Sequence, residues 1–122
     1  MAKRPEVPAE WVQRIRSVLE EYPGCKEEEA WVGVRWRVGH STVAHVFGGE
    51  DQLFRITFRA EPDEVMAFRH LGAPYFGTDW SDNVVGLLLD DSTDWSELSE
   101  LLTDSYRIQA PARLVRQLPS SG

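Results

Sequence analysis

Two segments of the chain alternate apolar and polar residues, and this alternation constrains the fold more than any other feature. The apolar positions of residues 31–39 and 53–59 recur at every second residue: Val32, Val34, Trp36, Val38, Phe54, Ile56 and Phe58. Side chains two apart share one face of a β-strand, so each segment predicts a strand with one face on a core. Residues 42–47 are β-branched and aromatic, and the short connections predict an antiparallel meander.

Three further segments have the pattern of helices. Residues 8–22 and 62–71 each begin with a proline and repeat apolar side chains at helical spacing; the first stops at Pro23-Gly24 and the second at Gly72. A third helix is capped by Asp94 or Thr93, and Glu97 stands three residues after Asp94, which is the spacing of a capping box. The apolar stripe of this helix extends to Tyr106.

Two more strands and two connecting segments complete the pattern. Residues 84–89 are an almost continuous apolar run, which predicts a buried strand, and residues 75–77 give a weaker strand signal. The charged residues 26–29 predict a solvated loop, or at most a short turn. Residues 112–118 lie between two prolines and predict a short basic turn.

These elements predict a single α+β domain over residues 1–122, in the order α-β-β-β-α-β-β-α. Two layers account for it: an antiparallel sheet with the helices on one face. A chain of this length buries about two thirds of its unfolded surface. We expect one core shared by sheet and helices, which contains these inward side chains: Val34, Trp36, Ile56, Phe58, Leu88, Leu98, Leu102 and Tyr106.

The composition of the chain indicates the cellular compartment of such a domain. The N-terminal residues include no apolar stretch of the kind found in signal peptides, and no apolar run approaches the roughly 18–20 residues of a membrane span. The single cysteine, Cys25, cannot form an internal disulfide, which fits a reducing compartment. We therefore expect a cytoplasmic protein with no membrane partner.

The net charge of −7 is unevenly distributed. Residues 73–106 hold eight acids and no base, whereas three arginines follow from residue 107 onward. An acidic chain repels a phosphate backbone at long range, so nucleic-acid binding requires a local basic patch. The acidic block, which runs from Asp79 to Asp104, could bind a hard cation. It lacks the alternating Asp/Asn and Gly of a calcium loop, and a solvated helix face and turn explain it better.

Three short motifs occur in an order and spacing that resemble a known family. Residues 22–25 read Tyr-Pro-Gly-Cys after the first helix, residues 88–91 read Leu-Leu-Asp-Asp after the last strand, and residues 101–107 read Leu-Leu-Thr-Asp-Ser-Tyr-Arg in the last helix. Together with the element order, they resemble the MmcQ/YjbR-like family of small bacterial proteins over nearly the whole chain. The resemblance implies the α+β fold above, a DNA-binding role, and no established enzymatic activity.

If DNA is bound, the sequence offers two basic surfaces. The alternation that turns Val34 and Trp36 inward turns arginines of the same strands outward, and more arginines follow the last helix. Arginine forks suit phosphate, and the outward Trp31 could stack on an unpaired base. The candidate nucleic-acid-binding residues are Arg35, Arg37, Arg55, Arg59, Arg107, Arg113 and Arg116. The alternative is an ordinary solvated face, with its arginines paired to Glu50, Asp51 or Glu61.

No catalytic or metal motif accompanies these surfaces. His40, His45 and His70 do not stand at metal-ligand spacing, and Cys25 has no partner motif. No nucleophile elbow, phosphate-binding loop or zinc-hydrolase motif occurs. We therefore expect a DNA-binding domain with weak affinity, no enzymatic activity, no cofactor and no metal. The open alternatives are a protein-interaction module, which binds a partner or a second copy, and a small-ligand binder.

Overall fold

The computed structural model describes residues 3–78 and 81–118. Within these residues the helices are α1 (Ala9–Leu19), α2 (Pro62–Leu71), α3 (Trp95–Gln109) and α4 (Ala112–Val115). The strands are β1 (Cys25–Glu29), β2 (Val34–Val38), β3 (Ser41–Gly48), β4 (Phe54–Arg59), β5 (Tyr75–Thr78) and β6 (Ser81–Leu89). They form one antiparallel sheet in the order β1-β2-β3-β4-β6-β5. The predicted α+β architecture is confirmed.

The helices cover one face of this sheet. Phe68 of α2 contacts the rings of Phe58 in β4 and Tyr75 in β5, and both of these side chains lie on the face of the sheet that the helices cover. Helix α3 packs on β3 and β4, and α1 packs on α3. Asp94 caps α3 by accepting a hydrogen bond from the Glu97 N–H at 3.1 Å, as the capping-box spacing predicted.

The prediction for residues 26–29 was wrong, because they belong to the edge strand β1. This strand lacks an apolar alternation, and its pairing with β2 is supported by cross-strand charge instead: Glu28 lies opposite Arg35. On the inward face, Glu27 accepts two hydrogen bonds from Arg16 of α1, at 2.8 and 2.9 Å. Ion pairs with β2 and α1 therefore stabilise β1, although its sequence lacks the apolar periodicity of a strand.

The extra strand also changes the start of β2. The predicted strand 31–39 begins only at Val34, because residues 30–33 form the turn that joins β1 to β2. Gly33 has φ of 72° there, and a Cβ at this position would overlap the backbone of β3. Trp31 lies at the tip of this turn and is fully exposed. The sequence-based prediction that Trp31 lies on the arginine-bearing face of a strand is therefore wrong.

The predicted core is confirmed with one exception. Trp36, Ile56, Phe58, Leu98, Leu102 and Tyr106 are buried in one cluster, and the partly buried Val34 packs against it. Leu88 was placed wrongly. It lies opposite Arg55 on the outer face, while its neighbours Leu87 and Leu89 point into the core. A continuous apolar run does not indicate which alternate set faces the helices.

Candidate nucleic-acid interface on the outer face of the sheet

The face of the sheet opposite the helices, called the outer face below, has a mixed basic and aromatic character. One row of side-chain positions crosses all six strands, from the charged edge at β1 to an aromatic residue on β5. The register of the strands defines this row: Glu28, Arg35, His45, Thr57, Gly86 and Phe76. Because alternate side chains of each strand share one face, this face has basic side chains near β2 and aromatic side chains near β5.

The four predicted sheet arginines all lie on this face, but each has a partner. Arg35 Nε donates to Glu28 Oε1, and Arg37 Nε forms an ion pair with the same oxygen at 3.0 Å. Arg55 pairs with Asp51, and its guanidinium lowers the pKa of that carboxyl to about 2. Asp51 was one of the three partners considered from the sequence, whereas Glu28 was not.

Arg59 is held differently from the other three. Its Nη1 donates to Oδ1 of the neutral Asn83 amide at 2.9 Å. Partial burial lowers the pKa of this guanidinium, which nonetheless remains charged at neutral pH. Its backbone N–H donates to Ser105 Oγ at 2.8 Å, which fixes the end of β4 against α3.

The outer face is positive although the chain is acidic. Among residues 3–78 and 81–118, its outward basic side chains are Lys26, Arg35, Arg37, Arg55 and Arg59, and the acids at the same face are Glu28, Asp51 and Asp82. The net charge of the whole chain is −7, so the negative charge lies elsewhere. Charge is therefore segregated between the two sides of the sheet.

A cavity of about 290 Å³ opens on this face, above β4 and β6. Its floor includes Thr57 and Val84, and it is bounded by His45 and Phe47 of β3 and by Phe76 of β5. The rings of His45 and Phe47 are 4.8 Å apart and tilted by 35°. Gly86 makes room for Phe76, because a Cβ at Gly86 would overlap the phenyl ring.

The histidine of this cavity is fixed in its neutral form. Its Nε2 lies within hydrogen-bond distance of the Val32 carbonyl, which can only accept, so Nε2 carries the proton and Nδ1 is an acceptor. Burial lowers the pKa of His45, and the charge of Arg35 lowers it further, while the Val32 carbonyl opposes both effects. At neutral pH, His45 therefore offers an acceptor and a ring face rather than a charge.

The predicted tail arginines do not join the sheet arginines. Arg107 lies in the last turn of α3, and Arg113 and Arg116 lie in or beside α4. Leu114 of α4 packs against the core, on the helical side of the sheet. The structure thus separates the seven candidate residues into two groups on different sides of the molecule.

Members of the acidic block have local structural roles. Asp90 accepts from the N–H and hydroxyl of Ser92, Asp94 caps α3, and Glu97 accepts from the Tyr75 hydroxyl at 3.0 Å. Asp79 lies outside the described residues. Within 3–78 and 81–118, no cluster of three or more His, Cys, Asp or Glu side chains could hold a metal ion.

Comparison with known proteins places this arrangement in a family. The model of the YjbR family matches residues 20–108, which cover β1 to α3. The chain belongs to the YjbR family. No curated protein matches it significantly. Within the described residues, no helix is long and apolar enough to cross a membrane.

Two solved structures share the fold. The Deinococcus radiodurans protein DR2400, described as a DUF419 domain, is 22% identical, with a TM-score of 0.67 and 91% of each chain covered. A Pseudomonas syringae protein solved by a structural genomics consortium is 12% identical, with a TM-score of 0.59. That match covers 84% of this chain and 98% of the other.

The motifs that resemble the family hold this YjbR domain together. Ser105 is buried, donates to the Val43 carbonyl at 2.6 Å and accepts from the Arg59 N–H. The Tyr106 hydroxyl donates to the Pro23 carbonyl at 2.6 Å. The Tyr106 ring lies 4.9 Å from that of Tyr22. The last helix is thereby tied to the first turn and to a bulged segment of β3.

Sequence reasoning missed two parts of the outer face in this YjbR domain. Glu28 was missed because β1 has no apolar periodicity, although three glutamates before an arginine-bearing strand are a usable signal. The aromatic cavity was missed because its residues lie on four strands, whose pairing the sequence does not specify. Its signal was present in β3, where Val46 and Phe47 make both alternating sets apolar. A strand that is apolar on both sides indicates that its outer side also contacts something.

Proposed function

We propose that this YjbR protein is a non-catalytic nucleic-acid-binding domain that uses the outer face of the sheet. The observation that carries the proposal is the segregation of charge: among the described residues, five basic side chains stand against three acids on this face, in a chain of net charge −7. A local positive face is what an acidic protein needs to approach phosphates. The net negative charge of the rest of the chain then disfavours contact of the nucleic acid with the helical side.

The ion pairs on this face can exchange carboxylate for phosphate. The arginine side chains in these pairs are 24–38% exposed, and pairs of such exposure contribute at most about 1 kcal/mol. Glu28 is a single carboxylate shared by two guanidiniums, so one positive charge is left uncompensated there. A phosphate offers a guanidinium the same bidentate geometry as a carboxylate.

The chemistry of the potentially reactive side chains favours binding over catalysis. Burial raises the pKa of the Cys25 thiol to about 11, which leaves it protonated and a poor nucleophile at neutral pH. Both hydrogen-bonding roles of the Ser105 hydroxyl are used by backbone groups. The contacts of His45 are with the Val32 carbonyl and the Phe47 ring, and neither of these groups is a nucleophile.

Reversing charge on the outer face tests the proposal. We expect the Arg37→Glu/Arg55→Glu variant to lose at least about tenfold in affinity for a fluorescent oligonucleotide at low salt, measured by anisotropy. Wild-type binding should weaken with salt, with a log–log slope of about −0.9 per phosphate on duplex or −0.7 on single strands. The net charge makes affinity no better than micromolar at physiological salt, near the non-specific range.

A matched control is available on the other side of the molecule. The Arg113→Glu/Arg116→Glu variant changes net charge by the same amount but alters only the tail. We expect it to retain most of the affinity. Loss in the tail variant with retention in the sheet variant would place the contact on the tail. Absence of binding to single-stranded and duplex DNA by the wild-type protein would contradict the proposed function.

Neutralising the shared acid should have the opposite effect. Glu28→Gln releases Arg35 and Arg37 from their common carboxylate and removes one negative charge from the contact surface. We expect affinity to rise by about threefold to tenfold and the salt slope to steepen, because more guanidinium charge is available to phosphate. Glu21→Gln, in the exposed segment after α1, is the control and should leave affinity unchanged. Weaker binding by Glu28→Gln would argue against phosphate contacts at Arg35 and Arg37.

The cavity favours a second candidate function, the binding of a small apolar or aromatic ligand. Such a ligand would occupy the space bounded by Phe47 and Phe76, which is lined by Arg59 but by neither Arg37 nor Arg55. Its affinity would then be insensitive to salt and to the Arg37→Glu/Arg55→Glu change. Salt dependence therefore separates the two candidates.

A further inference from the structure

We propose that the cavity on the outer face receives an unpaired nucleobase, so that the domain binds single-stranded nucleic acid in preference to duplex. The inference rests on the proposed function and adds the form of nucleic acid that this face selects. It follows from the placement of aromatic and hydrogen-bonding groups, whereas the proposed function follows from charge alone.

The cavity is a slot between two aromatic walls. His45 and Phe47 stand on β3 and Phe76 stands on β5, while β4 and β6 run between them. Three strand spacings separate the walls, about 14 Å between backbones, and the side chains narrow this distance. The absence of a side chain at Gly86 lets the Phe76 ring lie over β6, against the sheet. The result is a gap bordered by three rings, on which a planar base can stack.

Hydrogen-bonding groups at the slot suit the edge of a base. Thr57 and Thr78 line it and supply hydroxyls that can donate or accept. His45 adds a fixed acceptor, because its Nε2 proton is directed to the Val32 carbonyl. Small polar groups around an apolar slot permit several bases, which matches binding without strict sequence preference.

The arginines stand where the backbone of such a strand would run. Arg35 is the cross-strand neighbour of His45, and Arg55 is the cross-strand neighbour of Phe47. Arg59 lines the slot itself. Each aromatic wall residue of β3 thus has a guanidinium beside it, so stacking of a base and contact with its phosphate are possible together.

Duplex DNA cannot use these groups. Its bases are stacked inside the helix, and extrusion of one costs a few kcal/mol of unstacking and unpairing. A duplex would contact only the outward arginines and leave the slot empty. Single strands already expose their bases, so they gain the stacking contact without that cost.

The test compares three ligands of equal length at one low salt concentration by fluorescence anisotropy. The ligands are oligothymidine, oligouridine, and oligothymidine annealed to oligoadenine. We expect oligothymidine or oligouridine to bind at least about tenfold more tightly than the duplex. The two single strands separate DNA from RNA as the source of the base, and preferential binding of either one supports the proposal.

Variants of Phe76 test whether a base binds in the slot. Phe76→Ala removes a stacking wall and should weaken single-strand binding by about 5-fold to 100-fold while leaving duplex binding unchanged. Phe76→Leu keeps apolar volume without a ring face, so it should show a similar loss even if alanine disturbs the edge strand. Trp31→Ala is the matched control, since Trp31 is aromatic, fully exposed and outside the slot. Its single-strand affinity should equal that of the wild type.

Several results would overturn the inference. Duplex binding as tight as single-strand binding would do so, as would Phe76 variants that bind like the wild type, or a loss confined to Trp31→Ala. In these cases the outer-face function survives if Arg37→Glu/Arg55→Glu still abolishes binding. If the wild-type protein binds none of the three ligands, both the inference and the proposed function fail.

Discussion

Replacing Trp36 by alanine is expected to lower the free energy of unfolding by about 3–5 kcal/mol. Trp36 is 1% exposed and is the largest fully buried side chain among the described residues. It lies in β2 opposite Ala44 of β3, where the small partner leaves room for the indole. Truncation removes its buried apolar area and leaves a cavity that the surrounding sheet and helices cannot fill. Chemical denaturation followed by circular dichroism measures the change.

The same substitution at Trp31 provides the control. Trp31 lies in the turn between β1 and β2 and is fully exposed, so its replacement by alanine should change stability by no more than about 0.5 kcal/mol. The two variants remove the same atoms from different environments. Equal effects would contradict the register of β2, and an unchanged melt for Trp36→Ala would show that the core is placed wrongly.

Replacing Ser105 by alanine is expected to cost about 2–4 kcal/mol. Its hydroxyl donates to the Val43 carbonyl and accepts from the Arg59 N–H, at 2.6 and 2.8 Å. Val43 lies at the register shift between β2 and β3, so its carbonyl depends on a side chain for a partner. Both backbone groups would remain buried without Ser105, and each unsatisfied group costs about 1–3 kcal/mol.

Ser99→Ala on the same helix separates this role from a general effect of losing a hydroxyl. The Ser99 hydroxyl donates to the Trp95 carbonyl at 2.8 Å, but that carbonyl also accepts the helical bond from residue 99 itself. We expect a change below about 0.5 kcal/mol. Comparable losses in Ser99→Ala and Ser105→Ala would show that the bridge to β3 and β4 contributes little.

Ser105 and Tyr106 show what the family motifs do in this chain. Ser105 and Tyr106 direct their hydroxyls to backbone groups of β3, β4 and the first turn, and none faces the outer cavity. The motifs on which the resemblance rests therefore stabilise the fold. The side chains proposed to bind nucleic acid lie on the opposite face of the sheet, so a motif match by itself does not identify them.

Sequence determined the elements whose signal is local. The alternation in β2 and β4 gave the strands and the outward direction of Arg35, Arg37, Arg55 and Arg59, because the pleat alternates side chains with period two. The prolines, glycines and capping acid gave the helices, since these residues satisfy or break specific backbone bonds. With these elements in order, the two-layer α+β architecture followed.

Tertiary structure decided what depends on contacts between distant residues. Strand β1 exists because Glu27 and Glu28 pair with Arg16 and with arginines of β2, and those partners are not adjacent in sequence. The sequence did not determine which face of the sheet Leu88 occupies, because an apolar run has no alternation. The register of β6 with β4 places Leu88 opposite Arg55, on the outer face. The same register brings residues of four strands around one slot on the outer face. Local periodicity specifies which way each strand faces, whereas the pairing of strands specifies which side chains meet.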